Sequence, residues 1–267
     1  MNRLLRELAP VSDTAWSALE AEARQVLAAT LAGRRVVDFS GPHGWEHSAT
    51  PLGRTTPVEN LPAEGVRAAA RRVLPLIELR AEFSLPRAEL ADAERGADTL
   101  DLGPLDAAAR EIARIENIAI FHGLASAGIS GITDASGHQP VRVGDEFHSD
   151  ARHVATAVET LRRSGVDGPY ALALSPDAYT RVVETAEHGG VLLLKHLRQI
   201  LRGPVIWAPG VSGAVVLSTR GGDFHFTSGE DFSLGYRSHD GNEVCLFLEE
   251  SFSFHVSTPE AAIALAT

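Results

Sequence analysis

The stretch GPHGWEHSATPLGRTTPVENLPAEG, residues 41–65, most constrains how this chain can fold, because it holds four prolines and few apolar residues. Proline cannot donate a backbone hydrogen bond, so a segment this rich in proline does not form an interior strand. A long connection of this kind is usually functional or disordered. It also carries Trp45, Leu52, Val58 and Leu61, which predict an extension that reaches a neighbouring subunit.

The segments around this loop have regular patterns. A helix is predicted over residues 12–33, where apolar residues recur at helical spacing and Gly33 ends the run. The segment LPLIELRAEFSL, residues 74–85, alternates apolar and polar residues, which is typical of a half-buried antiparallel strand. A long helix is expected to begin at Pro104, because proline suits the first helical turn.

The second half of the chain has a different pattern of apolar and polar residues. Residues 131–219 alternate helical and strand patterns and predict a small α/β layer. The last third returns to strands, with a hairpin turn at Asp240 and Gly241 between SLGYRS and EVCLFLEESFSFHV. The order of these patterns along the chain predicts an α+β unit into which an α/β unit is inserted.

The charge and composition of the chain limit the classes of partner that it is expected to bind. The net charge of −11 repels a phosphate backbone, so nucleic acid is not expected as a partner, and Arg67, Arg71 and Arg72 are interpreted as a solvated face or a subunit contact. No apolar run is long enough to span a membrane, and Glu7 interrupts any signal sequence, so we expect a cytosolic protein without a membrane partner.

The residues that could form a catalytic or metal site lie in segments whose predicted structure does not suit such a site. His43 and His47 have metal-ligand spacing but lie in the proline-bearing loop, where a helical face is implausible. No phosphate-binding loop, dinucleotide fingerprint or nucleophile elbow is present. Asp223 and His225 could form an acid–base pair, but RGGDFHF is first a strand with one apolar side. No catalytic, metal or cofactor site is therefore predicted, although a Ser/His/Asp triad can assemble from any chain order.

Several segments together resemble the encapsulins, shell proteins once described as linocin-type bacteriocins. They include LAPVSDTAW, GPHGWEHSATPLG, LPLIELRAEFSL, ERG, GVDGPYAL, RGGDFHFTSGEDFSLGY, ESFSFHV and PEA, and their order covers nearly the whole chain. The resemblance implies an α+β subunit with the fold of tailed-bacteriophage major capsid proteins. In such a wall Asp223, Glu230 and Asp231 are expected to stay polar at a surface.

The resemblance also implies a division of the chain. The parts are an N-terminal arm and helix of the peripheral domain at 1–46, an extended loop at 47–73, the peripheral domain with its spine helix at 74–130, an axial domain at 131–219, a peripheral hairpin at 220–256 and a C-terminal segment at 257–267. Many copies, on the order of sixty, would close into an icosahedral shell. The shell would be non-enzymatic and would enclose a ferritin-like protein or a dye-decolorising peroxidase, which links it to iron storage and oxidative stress.

The cargo would bind through a short C-terminal peptide, in a groove where the N-terminal helices meet the peripheral domain. The residues that the resemblance implies for this groove are Leu4, Leu8, Arg34, Asp38, Phe232 and Leu234. Ordinary core packing explains the leucines and the phenylalanine equally well.

The loop AEHGGV matches the loop that lines the fivefold pore of the family. The pore residues implied are Glu187, His188, Gly189 and Gly190, with His188 able to make passage depend on pH. An ordinary connection between two helices explains the same residues equally well.

A flavin is not expected, although some encapsulins stack one on a tryptophan in the segment that matches PRAEL. This chain has Arg87 and Ala88 there and no nearby aromatic ring to supply a stacking face. Two other functions stay open at this point: a bacteriocin-like hydrolase, which needs a Ser/His/acid cluster in a cleft, and a phage major capsid protein.

Overall fold

A computed structural model describes residues 3–62, 64–143, 151–185 and 192–266. The α-helices in these residues are α1 Asp13–Thr30, α2 Arg87–Glu94, α3 Gly103–Phe121, α4 Ile132–Ala135, α5 Arg152–Arg163, α6 Pro176–Glu184 and α7 Leu193–Leu201. The strands are β1 Asp38–Ser40, β2 Ala49–Val58, β3 Ala68–Pro75, β4 Ile77–Pro86, β5 Val141–Arg142, β6 Tyr170–Leu174, β7 Val205–Trp207, β8 Ala214–Ser218, β9 Phe224–Ser228, β10 Ser233–His239, β11 Glu243–Val256 and β12 Ala262–Ala266.

The first sheet is organised around the long strand β11. One half of β11 pairs with β10 on one side and β4 on the other, so that Leu246 faces both Tyr236 and Phe83. The other half pairs with β9, and β1 adds to β9 in parallel. Helices α1 and α3 cover this sheet with an apolar core that includes Leu19, Ile112 and Leu246. The predicted spine helix and late hairpin therefore pack against each other around one core.

The end of α1 is held by a side chain from α3. The backbone N–H groups of Ala32 and Gly33 donate to Oδ1 of Asn117 at 3.0 and 2.9 Å, and Nδ2 of Asn117 donates to the carbonyls of Thr30 and Pro209. Because the last turn of a helix leaves its carbonyl groups unpaired, this fully buried amide satisfies groups that water cannot reach. It also fixes the spacing between α1 and α3.

The second sheet has the strand order β5-β12-β8-β6-β7. Strands β6 and β8 are buried along their whole length, as expected for strands with helices packed against them. Its strand β12 comes from the C-terminal end of the chain and pairs with β8 and β5. The domain boundaries implied by the resemblance stay a prediction.

The proline-bearing loop contributes β2, which forms a hairpin with β3 directly after the loop. These strands form a separate two-stranded antiparallel sheet, and most of their residues are exposed. Pro51 and Pro57 are accommodated because each strand of a two-stranded sheet has a free edge, where a missing N–H leaves no ladder bond unmade. The sequence pattern indicated the extension but missed its strand pairing.

Candidate functional site

A cavity of about 480 Å³ lies between the N-terminal arm, α1 and the start of β10. Its apolar wall consists of Leu4, Leu27, Leu31, Phe232, Leu234 and Leu248. Its charged lining residues are Arg6, Glu20, Arg24, Arg34 and Asp231. Pockets for small ligands and peptide side chains fall in this size range, roughly 300–1,000 Å³, so the cavity can receive several apolar side chains.

One stripe of α1 forms the helical wall of the cavity. Its members follow the spacing of three and four residues that places side chains on one helix face, and they are Glu20, Ala23, Arg24, Leu27, Ala28 and, directly after the last residue of α1, Leu31. The helix begins where the Ser12 side chain accepts a hydrogen bond from the N–H of Ala15. The buried members of the stripe continue into the core under α1, whereas Ala28 and Arg24 are exposed at the mouth.

The N-terminal arm closes another side of the cavity. The N–H of Tyr236 on β10 donates to the carbonyl of Leu4 at 2.8 Å. Arg6 lies over the ring of Trp16, 4.2 Å from its centroid, and pairs with Glu20 at 2.6 Å. These contacts dock the arm on both β10 and α1.

The floor of the cavity is a buried charge cluster centred on Arg34. Its Nε donates to Oε2 of Glu116 at 2.8 Å, Nη1 to Asp231 at 2.8 Å and Nη2 to Glu250 at 2.9 Å. The guanidinium also lies 4.8 Å from the ring centroid of Phe232. Arg34 therefore holds Asp231 and Phe232 in place, and its own donors are engaged within the chain.

Burial determines the protonation of this cluster. Burial raises the pKa of Glu116, against the attraction of Arg34, and it raises the pKa of Glu250 further, with repulsion from Glu116 as the second cause. Burial opposes the charged form of Arg34, but the charge of Glu116 raises the pKa of the guanidinium overall. The Oε1 atom of each glutamate is buried and accepts from no N–H or hydroxyl donor of the described residues, and the two carboxyl groups lie within hydrogen-bond reach of each other, so one of them must carry a proton for that bond to form.

Four of the six residues implied for the cargo groove line this cavity: Leu4, Arg34, Phe232 and Leu234. The other two lie elsewhere. Leu8 is 61% exposed, and the Asp38 carboxylate accepts a hydrogen bond from the N–H of Gly222 at 2.7 Å. The assignment of the groove stays a prediction.

Sequence reasoning placed the groove at the N-terminal helices but named no residue of α1 for it. Leu27 and Leu31 belong to the apolar pattern that predicted the helix over residues 12–33, and Arg24 was not singled out. Their common helix face was visible in the sequence, but the docking of the arm against it was not. The predicted pore residues Glu187, His188, Gly189 and Gly190 lie outside the described residues.

The expectation that Asp223 stays polar at a surface was wrong. Asp223 is buried, and both of its carboxylate oxygens accept hydrogen bonds from Arg220 at 3.0 Å. The glycine turn before β9 brings Arg220 back over it. His225 instead stacks on His255 across the β9–β11 pair, with ring centroids 4.7 Å apart, so Asp223 serves an internal ion pair.

The described ranges contain no group of three histidine, cysteine or acidic side chains arranged to hold a metal ion. Within the same ranges no helix is both long and apolar enough to cross a bilayer. Arg87 and Ala88 begin α2, where Nη1 of Arg87 donates to the carbonyl of Asp240 at 3.2 Å. That this segment binds no flavin stays a prediction.

Comparison with solved structures confirms the fold class. A virus-like particle from Pyrococcus furiosus matches with a TM-score of 0.64 at 16% identity, over 93% of this chain and 98% of that one. The capsid of Myoviridae phage XM1 matches with a TM-score of 0.54 at 11% identity, over 87% of this chain and 90% of that one. At these identities the likeness shows the α+β, phage-capsid-like fold alone.

Comparison of sequences identifies the family. The model of a family described as "encapsulating protein for peroxidase" matches residues 1–253. A type 1 encapsulin shell protein of Rhodospirillum rubrum is 47% identical over 270 aligned residues, which cover 99% of this chain and 96% of the relative. The resemblance seen in the sequence motifs is confirmed, and the chain belongs to the encapsulin shell protein family.

Proposed function

We propose that copies of this chain close into a compartment and that the cavity beside the N-terminal arm takes up the C-terminal tail of a cargo enzyme. The observation that carries the proposal is the apolar wall of the cavity. This wall combines Leu27 and Leu31, at the end of α1, with Leu234 and Phe232 of the β10 region. In this proposal the chain is structural rather than catalytic. Its cytosolic location stays a prediction.

An apolar tail fits the physical chemistry of this cavity. Burial of one leucine-sized side chain contributes about 1.5–3 kcal/mol, so two or three such side chains give a usable but modest affinity. A shell offers many equivalent cavities, and an oligomeric cargo offers several tails, so simultaneous engagement strengthens retention without new contacts.

The exposed hairpin of β2 and β3 supports assembly. Val58, Val66 and Val73 are 43%, 60% and 48% exposed, and an isolated two-stranded sheet has little stability of its own in water. A neighbouring copy would cover these residues and pair or pack against the free strand edges. We propose a closed icosahedral shell of about sixty copies as the assembly.

The cargo we propose first is a peroxidase, since the description of the matching family names one. A ferritin-like protein, with a role in iron storage, is the other cargo proposed from the resemblance. Both would present the tail from their own C-terminus, so the same cavity serves either.

The test uses two neighbouring alanines of α1. Ala28 and Ala29 are both exposed, but only Ala28 lines the cavity. The chain is co-expressed with a fluorescent protein that carries the C-terminal residues of a peroxidase or ferritin-like protein from the same genome. Particles are then purified, and fluorescence per particle is measured.

We expect Ala28→Trp to fill the cavity and to reduce retained fluorescence at least tenfold, with particles of normal size. Ala29→Trp should load as the unmodified chain does. Equal loading by Ala28→Trp would contradict the cavity as the cargo site. A stable monomer in place of particles would contradict the shell.

A further inference from the structure

His122, at the C-terminal end of α3, holds the loop between β7 and β8. The backbone N–H of Ser212 in this loop donates to Nε2 of His122 at 2.9 Å. On the other side of the ring, Nδ1 lies 3.0 Å from Oγ1 of Thr133, whose hydroxyl donates to the carbonyl of Phe121 at 2.9 Å. One half-buried imidazole therefore joins α3, α4 and a loop of the second sheet.

These contacts fix the protonation state of the ring. A backbone N–H can only donate, so Nε2 of His122 must offer its lone pair to Ser212. The hydroxyl of Thr133 already donates to the Phe121 carbonyl, so Nδ1 carries the hydrogen and donates to Thr133. The ring makes both contacts only in this neutral form. A proton at Nε2 would place two N–H groups against each other and break the bond to Ser212.

The charges around the ring are few. The loop APGVSG, residues 208–213, contains no charged residue, and Arg114 on α3 is engaged by Glu111. Burial lowers the pKa of His122, and the charge of Asp134 on α4 opposes this effect. Because the pKa in the folded chain lies below the ordinary 6.5, the bond is fully present above pH 6.5 and is lost as the pH falls through the folded-state value.

A second tie, which carries no charge, holds the same loop. Nδ2 of Asn117, five residues earlier on α3, donates to the carbonyl of Pro209 at 3.0 Å. Gly210 has a φ of +91°, and a Cβ atom there would lie 2.8 Å from the carbonyl oxygen of Arg114. The loop thus lies directly against α3, and of its two ties the one at Ser212 depends on a proton.

The tie at Ser212 can open without unfolding the subunit. Ser212 is exposed, so water replaces the imidazole as the partner of its N–H. The carbonyl of the next residue, Gly213, accepts from the N–H of Ser175 at 3.0 Å, and the Ser175 side chain caps α6. Release of Ser212 therefore loosens the segment that contacts the start of α6.

We propose that His122 is a proton-sensitive latch between α3 and the second sheet. The neutral ring ties the β7–β8 loop to α3. The protonated ring releases Ser212 while Asn117 still holds Pro209, so the loop and the start of α6 become more mobile in acid. This inference does not depend on the proposed cargo cavity, which His122 does not line.

The test compares two backbone amides in the purified full chain. Hydrogen exchange at Ser212 and Thr219 is followed by mass spectrometry at single-residue resolution between about pH 8 and pH 5, where an imidazole changes charge. The intrinsic rate of an unstructured peptide at the same pH is divided by each observed rate to give a protection factor. Thr219, at the other end of β8, donates to the carbonyl of Pro169 at 2.8 Å without an imidazole, so it reports any general loosening.

We expect the protection factor of Ser212 to fall roughly tenfold in acid, the effect of losing one hydrogen bond, with a midpoint below pH 6.5. That of Thr219 should stay constant. His122→Gln places a neutral acceptor near the position of Nε2, so protection at Ser212 should persist and lose its pH dependence. His138→Gln is the matched control, because Nε2 of His138 donates to the carbonyl of Glu260 at 3.0 Å, a bond that survives protonation. It should behave as the unmodified chain does.

Equal pH dependence at Ser212 and Thr219 in the unmodified chain would overturn the latch, and this comparison needs no variant. Full pH dependence retained in His122→Gln would assign the effect to another group and would overturn the latch as well. Either result would leave the proposed cargo function standing.

Discussion

Nη2 of Arg34 lies 2.6 Å from Oε2 of Glu116, a carboxylate that is completely buried under the cavity. Glu250 reaches the same nitrogen at 2.9 Å. One guanidinium thus faces two buried carboxylates and the more exposed Asp231. A proton retained by the two buried glutamates stabilises the cluster, because one guanidinium does not balance two buried negative charges and the nearby charge of Asp231.

The first prediction concerns the pH dependence of stability. The pKa values of Glu116 and Glu250 lie above their ordinary value of 4.5, so the folded state binds a proton that the unfolded chain has released. This contribution is fully present below pH 4.5 and is lost as pH rises through the folded-state values. Glu250→Gln, which needs no proton, should flatten the decline of the thermal midpoint of purified particles with rising pH.

The matched control for that series is Glu159→Gln. Glu159 is an exposed carboxylate paired with Arg163 on the surface of α5, so its loss should leave the pH slope unchanged. Equal slopes for the unmodified chain and Glu250→Gln would show that the pair holds no proton.

The second prediction concerns Asn117. Replacement by alanine leaves the buried N–H groups of Ala32 and Gly33 and the carbonyl of Thr30 without their partner. We expect the free energy of unfolding to fall by about 3 kcal/mol, measured by denaturant titration of disassembled subunits. Ser17→Ala, which removes an exposed hydroxyl contact on α1, should change it little. A similarly small effect for both variants would show that the hydrogen bonds of Asn117 do not stabilise the end of α1.

The third prediction concerns the close approach of β10 and β11. A Cβ atom on Gly235 would overlap the ring of Phe247, its direct cross-strand neighbour. Gly235→Ala should therefore destabilise the subunit by about 1–3 kcal/mol. Phe247→Leu in the same chain should recover part of this loss, and a double-mutant cycle measures the coupling. Additive effects would mean that the ring moves aside freely.

The fourth prediction separates folding from assembly. The hairpin can be cut between Pro51 and Val73, which face each other in the β2–β3 register, and rejoined through two glycines. Because the removed residues are mostly exposed, the shortened chain should keep its circular dichroism but fail to form particles in light scattering. Normal particles from the shortened chain would exclude the hairpin from assembly.

Local patterns predicted much of the fold. Residues 12–33 were expected as a helix and contain α1, and the alternation in residues 74–85 matches β4. These predictions succeeded because the period of apolar residues reflects which face of an element is buried. Helix α2 and strand β12 were missed, since the first is short and weakly amphipathic and the second depends on a partner strand far away in sequence.

The sequence by itself determined the family, the order of most elements and the apolar stripe of α1, because each depends on residues close together in the chain. Only the tertiary structure decided which of those residues form a cavity. Arg34 meets Glu116, Asp231 and Glu250 across 82, 197 and 216 positions, and Leu4 meets Tyr236 through a backbone contact that no side-chain pattern encodes. Burial of Asp223 follows from how strands and turns are brought together, since the pairing of buried polar groups is set by packing.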